Sequence, residues 1–449
     1  MRTRLWSALV TAILVGAACG GTPAPPSTSS SGGTQQNVGR VEFLSSQGQP
    51  AQEVQDMNGK VLAGFGGAVD FQSQATEAQD IDKVLAERKA GGQGTIDVLG
   101  WTHGGFASVS PSDTLMDLTP LLRKLQKDRQ FPEALLKYGR LGTGKQYYIP
   151  WVQATYVMVV NKKAIPYLPK GARVDSLTYD QLIAWGANLE KAQGQKLIGL
   201  PAAPGVKGGL LNRFLQGYTY PSYTGTEVTN FKSPQAVQMW QMLKRLWAVT
   251  NPQSTTYAYM QDPLENGEVW VAWDHQARFQ DALNTMGSQF EVVPAPSGPR
   301  GLGYMSVITG LAIPKNAPNK AGAEALIDWL TRPKQQVTTG ATLGFFPTVQ
   351  GVNLNGSGAP AYLAAESSVN TRYLANKNAI PALLEVGMGS QGDNFHLAYQ
   401  DLFTRIVLRG ENITSALDYE AAQVQQAIDT ARAPCWPPDP PSTGPCQIK

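Results

Sequence analysis

Hydrophobic and polar positions along the chain follow two rhythms. Val41-Glu-Phe-Leu44 is a short β-type run and predicts a first strand. Between Thr76 and Ala90 the spacing changes: Ile81, Val84 and Leu85 share one face of a helix, which Gly91 and Gly92 stop. Thr95-Ile-Asp-Val-Leu99 predicts another strand, ending in a loop over Gly100-Trp-Thr-His-Gly-Gly105. Tyr148-Ile149 and Thr155-Tyr-Val-Met-Val-Val160 read as strands around Pro150. Helices are predicted over 179–193, 234–250, 320–331 and 415–431, and further strands over 269–273, 290–293 and 311–313. Short strands alternating with longer helices predict an α/β fold with largely parallel sheets. No repeat of fixed period runs through the chain.

The N-terminus departs from both rhythms. Arg2 and Arg4 precede an uncharged run from Leu5 to Ala18, shorter than the ~20 apolar residues a membrane-spanning helix needs. Residues 1–18 therefore read as a secretory signal peptide. Val15-Gly-Ala-Ala-Cys19 resembles a bacterial lipobox, in which Cys19 is lipidated and becomes the first residue after cleavage. Residues 19–40 follow as a tether of Gly, Thr, Pro, Ser and Gln, too poor in apolar residues to offset the entropy of ordering. With Cys19 assigned to the lipid, Cys435 and Cys446 remain; they flank a proline-rich stretch and form a disulfide-stapled tail over 435–449.

Composition narrows the field. More than 400 residues beyond the signal exceed what one core usually serves, so two lobes are expected. Charged residues are 16%, below the ~25% of average soluble domains. The formal charge is +3, two units of it from Arg2 and Arg4. Without a basic stripe, no nucleic-acid partner is expected.

Several segments, in their order and spacing, resemble one family. Gly144-Lys-Gln-Tyr-Tyr-Ile-Pro150 leads into an apolar strand and Asn161-Lys162. Asn266-Gly-Glu-Val-Trp-Val-Ala-Trp-Asp274 looks like a strand running into a cleft loop. Val293-Pro-Ala-Pro-Ser-Gly298, Gly310-Leu-Ala-Ile-Pro-Lys-Asn316, Ala325-Leu-Ile-Asp-Trp-Leu330 and Leu343-Gly-Phe-Phe-Pro347 complete the set. From about Val41 to Ala431 the chain resembles the family-one extracellular solute-binding proteins of ABC importers, which include maltose-binding protein. The resemblance implies the two-lobe type II periplasmic-binding-protein fold, each lobe a mostly parallel sheet flanked by helices, with three crossovers. It implies an N-terminal lobe over 41–153 plus 295–346 and a C-terminal lobe over 154–294 plus 347–434. It also implies a monomeric, lipid-anchored protein that carries a carbohydrate to its permease, uses no cofactor and breaks no bond.

A sugar offers apolar C–H faces ringed by hydroxyls, so its site wants flat rings beside planar hydrogen-bonding groups. The loops after predicted strands hold such residues: Ser46 and Gln47; Trp101 and His103; Trp151 and Gln153; Trp273, Asp274, His275 and Arg278; then Tyr304 and Phe346. Trp240, Trp247 and Trp329 lie on helical faces and are expected in the core. His103, His275 and His396 lack the spacing of metal ligands, so no metal site is expected. Gly139-Arg-Leu-Gly-Thr-Gly-Lys-Gln146 nearly spells a P-loop but ends in Gln, and reads as a hairpin turn. The same clamp binding a glycerol phosphate or a polyamine is the nearest alternative. A secreted carbohydrate-active hydrolase is the alternative of another class, and needs two carboxylates about 5–10 Å apart.

Overall fold

Apolar, mostly β-branched residues at 41, 98, 149 and 157–160 supply strands with both faces buried, the pattern of sheets covered by helices. The computed structural model describes residues 38–47, 51–73, 76–205, 208–354 and 358–449. Cys19, the signal peptide and nearly all of the tether lie outside the described residues. Among the described residues, the strands in chain order are β1 (Val41–Ser45), β2 (Val69–Gln72), β3 (Val98–Thr102), β4 (Ile149–Ala154), β5 (Tyr156–Asn161) and β6 (Ile198–Gly199). They continue with β7 (Val271–His275), β8 (Phe290–Val293), β9 (Leu302–Ala312), β10 (Phe346–Pro347) and β11 (Ala379–Leu383).

The larger sheet has the order β10-β4-β9-β3-β1-β2, with β11 also on β9; the smaller is β6-β7-β5-β8. The α/β class holds, but strand directions are mixed rather than mostly parallel. β1 runs parallel to β2 and β3, and β9 parallel to β11, whereas β3–β9, β9–β4 and β4–β10 are antiparallel. In the smaller sheet only β6–β7 is parallel. The cause is the strands that pass between sheets, which run against their neighbours instead of returning through a helix. β4 belongs to the larger sheet and β5 to the smaller, with only Thr155 between them. Thr155 Oγ donates to the Met305 carbonyl of β9 at 2.8 Å, tying two passing strands together. β9 pairs with β11 over 302–306 and with β4 over 307–311, so one eleven-residue strand serves both regions. The chain returns a third time after β10, when a helix over 361–375 packs on β8.

The long helices are α1 (Glu77–Ala90), α2 (Tyr179–Gln193), α3 (Pro234–Ala248), α4 (Lys320–Leu330), α5 (Pro333–Leu343), α6 (Ala361–Ala375), α7 (Gly392–Phe403) and α8 (Ile413–Ala431). Predicted boundaries hold where caps are explicit. Thr178 and Gln181 close a reciprocal capping box on α2, which ends at Gly194 in the left-handed region. Of the helical tryptophans, Trp240 is fully buried as expected, whereas Trp247, edge-on to Phe403 at 5.0 Å, and Trp329 are half-buried and pack against the core from outside. The near-P-loop joins a helix, Glu133–Gly139, to β4, so it is not a hairpin; buried Gln146 donates to the Leu136 and Tyr148 carbonyls. Cys435 and Cys446 are bonded, with Cα atoms 4.5 Å apart. No described helix is long and apolar enough to cross a membrane.

Candidate functional site

The C-terminal ends of parallel strands β1 and β3 open onto a cavity of about 450 Å³. Its opposite wall comes from the smaller sheet and from the segment between β11 and α7. The size suits a small ligand.

Glu77 organises the first wall. It is the first residue of α1, and its side chain reaches back to the strand ends. One carboxylate oxygen accepts the Thr102 N–H at 2.8 Å and the Ser46 hydroxyl; the other accepts the Thr102 hydroxyl at 2.5 Å. Burial pushes the Glu77 carboxyl up, and these hydrogen bonds oppose that rise. One turn on, Asp80 is buried with both oxygens unpartnered among the described residues. Burial, with Glu77 nearby, pushes it up to about 7. Its folded pKa thus exceeds the ordinary ~3.9, so the folded state holds the proton better and stability falls as pH rises from about 4 through 7. Asp80→Asn is expected to add on the order of 2 kcal/mol at pH 8 and almost nothing at pH 4, read by urea unfolding at both.

An ion triad forms the second wall. Arg213, on a single helical turn at Leu211–Phe214, donates to Glu385 Oε2 at 2.6 Å and to Gln216 Oε1 at 3.3 Å. His396 Nε2 of α7 lies 2.6 Å from Glu385 Oε1. Burial alone would raise Glu385, but the Arg213 and His396 charges outweigh it and hold the carboxyl well below its usual range.

Rings and a second arginine close the remaining side. Arg278 stacks 4.2 Å over the Tyr259 ring and donates to the Ala258 carbonyl at 2.9 Å. Buried Asp274 stands 3.8 Å from it and accepts the Met260 and His275 N–H groups; burial, eased by Arg278, pushes Asp274 up to about 6. Burial, then Arg278, drive His275 down to about 3, so the ring is neutral. Its Nδ1 accepts the Ala277 N–H, which leaves Nε2–H as its donor. Tyr156 meets this imidazole edge-on at 5.2 Å and lines the cavity itself.

Residues 66–337 match the profile of a family described as bacterial extracellular solute-binding protein. The chain belongs to that family. A comparison with curated proteins finds none that matches. Among solved structures, this solute-binding protein is similar to maltose-bound MalE3 of T. maritima, with a TM-score of 0.67, 18% identity, and 86% of this chain and 99% of that one covered. It is similar to an ABC substrate-binding protein from Listeria monocytogenes in complex with cycloalternan, at 0.66 and 14%, covering 87% and 99%. It is also similar to UgpB from Mycobacterium tuberculosis in complex with glycerophosphocholine, at 0.65 and 18%, covering 87% and 98%. These likenesses are of fold: the type II periplasmic-binding-protein arrangement.

The structure brings Ser46, Gln47, His275 and Arg278 to the cavity of the solute-binding protein, and keeps the other expected residues off its lining. Trp101 is fully buried inside β3, opposite Gly310 of β9, against Phe106. Its flanking glycine reflects close packing rather than a loop: a Cβ on Gly100 would stand 2.8 Å from the Phe43 ring. Trp273 lies behind the site, its ring covered by Tyr156 at 4.9 Å and 4°. Trp151 packs on Phe43 and is buried. Gln153 and Phe346 pair across β4–β10, and Tyr304 stacks on Tyr373 at 5.0 Å. His103 bonds the Tyr148 hydroxyl and is driven by burial to about 4. Asp274 is buried behind His275 and Arg278. Among the described residues no three His, Cys, Asp or Glu groups converge as metal ligands.

Trp101→Ala is consequently expected to act on stability, costing about 3–5 kcal/mol in urea unfolding through a large core cavity.

The pattern did not point to Glu77, Arg213, Glu385 or Tyr156. The glycines around two of them, Gly208-Gly209 and Gly387, were the available signal.

Proposed function

We propose that this solute-binding protein is the extracytoplasmic capture component of an ABC importer, and that its solute is a carbohydrate held without covalent change. The observation carrying this reading is the cavity between the strand ends, where charged, planar hydrogen-bonding groups (Arg213, Glu385, Arg278) stand beside the rings of Tyr156, Tyr259 and His275. Such a mixture serves hydroxyls and C–H faces together. Ser46, Gln47, His275 and Arg278 are the expected residues assigned to contact it. The proposal includes lobes over 41–153 plus 295–346 and 154–294 plus 347–434, closing on the solute as a hinge. It also includes a lipid on Cys19 that holds a monomer near its permease.

The similar structures are bound to maltose, cycloalternan and glycerophosphocholine. Two arginines at the cavity make a phosphate-bearing solute the alternative cargo to test. A thermal-shift panel of malto-oligosaccharides, chito-oligosaccharides, glycerol phosphates and polyamines is expected to single out a sugar. A solute at 100 times its Kd should add ~2.7 kcal/mol. A response to glycerol phosphates or polyamines alone would overturn the carbohydrate assignment and leave the clamp.

A further inference from the structure

We infer that the stapled tail after Pro434 is a positioning element for the cleft, setting the Glu385–His396 pair and with it solute affinity. This deepens the proposed function and rests on it. Glu385 sits two residues beyond the end of β11, in a loop dotted with glycine. A loop does not by itself hold a carboxylate within 2.6 Å of both a guanidinium and an imidazole on different elements. Something outside it must fix the backbone.

The tail has a hold on both partners. Leu383, two residues before Glu385, donates its N–H to the Pro437 carbonyl at 3.1 Å. Phe395, the neighbour of His396 in α7, meets the ring of buried Trp436 edge-on at 5.4 Å. Between them Gly387, at a φ of +78°, runs alongside Ala433 and Pro434.

The tail is itself anchored elsewhere. The buried Asp439 carboxylate accepts the N–H groups of Glu227, Val228 and Thr229 at 2.7–2.9 Å and the Thr229 hydroxyl at 2.6 Å. Trp436 Nε1 donates to Glu227 Oε2 at 2.9 Å. The Cys435–Cys446 bond closes the loop that presents these groups, and the Cys446 N–H bonds the Ala433 carbonyl at 2.8 Å. The disulfide thus lies one packing step from the solute cavity, and Trp436, Pro437 and Asp439 are positioning residues rather than ligands.

The test uses the mature protein with 15N-labelled histidine; three imidazoles make the spectrum simple. Trp436→Ala and the double variant Cys435→Ser/Cys446→Ser are expected to move the His396 ring nitrogen resonances toward those of Glu385→Gln. Trp436→Phe, which keeps the packing on Phe395, is expected to restore them. If Trp436→Ala does not fold, Asp439→Asn makes the same comparison. In parallel, affinity for maltotriose should weaken about threefold to tenfold in the same variants. Variants that melt earlier with unchanged His396 resonances would reduce the tail to a staple and overturn the inference. Failure of maltotriose to bind the wild type would leave the imidazole comparison standing, since that needs no ligand, and the affinity arm would then use the sugar the thermal-shift panel singles out.

Discussion

Arg213→Ala is expected to weaken solute binding about a hundredfold or more and to destabilise the protein by about 3 kcal/mol. The loss follows from what remains. Glu385 is half-buried beside the cavity and held ionised chiefly by Arg213, so removing the guanidinium leaves a carboxylate with the His396 ring as its remaining partner. Calorimetric titration reads the first effect and urea unfolding the second. The pH dependence separates this cause from simple loss of packing. Glu385 is depressed below the unfolded value of ~4.3, so its contribution is complete above that pH and disappears as pH falls through the folded-state value. Wild type and Arg213→Ala should differ most near neutrality and draw together as pH falls below about 4.3 toward the depressed folded-state value. A constant gap across that range would mean the ion pair is not what the arginine supplies.

Gly104→Ala is expected to cut affinity at least about tenfold by preventing the two cleft walls from meeting. Gly104 is the second residue of the short helix His103–Ala107 after β3; a Cβ there would stand 2.0 Å from the backbone oxygen of Glu385 on the opposite wall. Backbone cannot yield as a side chain can. The same contact carries hydrogen bonds from Gly387 N–H to the Gly104 carbonyl at 3.3 Å and from Gly389 N–H to Ser108 Oγ at 2.9 Å. Small-angle scattering should report a larger radius of gyration for the variant with saturating solute, at little cost to urea stability. An unchanged radius and affinity would show that the walls close elsewhere.

How much of this was legible in the chain depended on the kind of signal. Helices with explicit caps, such as α2 between Thr178 and Gly194, could be placed to the residue. β9 was foreseen only over 311–313, because Gly303, Ser306, Thr309 and Gly310 break the apolar run. They are tolerated because β3, β4 and β11 supply its pairing. α6, α7 and β11 went unpredicted, and with them the elements around Glu385 and His396.

For the site, Ser46, which follows β1, and His275, which ends β7, line the cavity, since strand polarity fixes where those ends open. Aromatic residues misled. Trp101 looked like a platform because its neighbouring glycines suggest a loop, and Trp273 because it ends a strand that runs toward the cleft, yet both are buried behind the site. The triad of Arg213, Glu385 and His396 draws on positions 213, 385 and 396, and no local spacing brings such distant residues together.

The decisive measurement is a calorimetric titration of the mature protein with the best-responding sugar, followed by chromatography of the recovered solute. Glu77 and Glu385 both line the cavity, and a hydrolase would need two carboxylates there, so fate matters as much as affinity. The account predicts one solute per chain, returned intact after prolonged incubation, with binding lost in Arg213→Ala. Shortened sugar, or full-strength binding by Arg213→Ala, would contradict it.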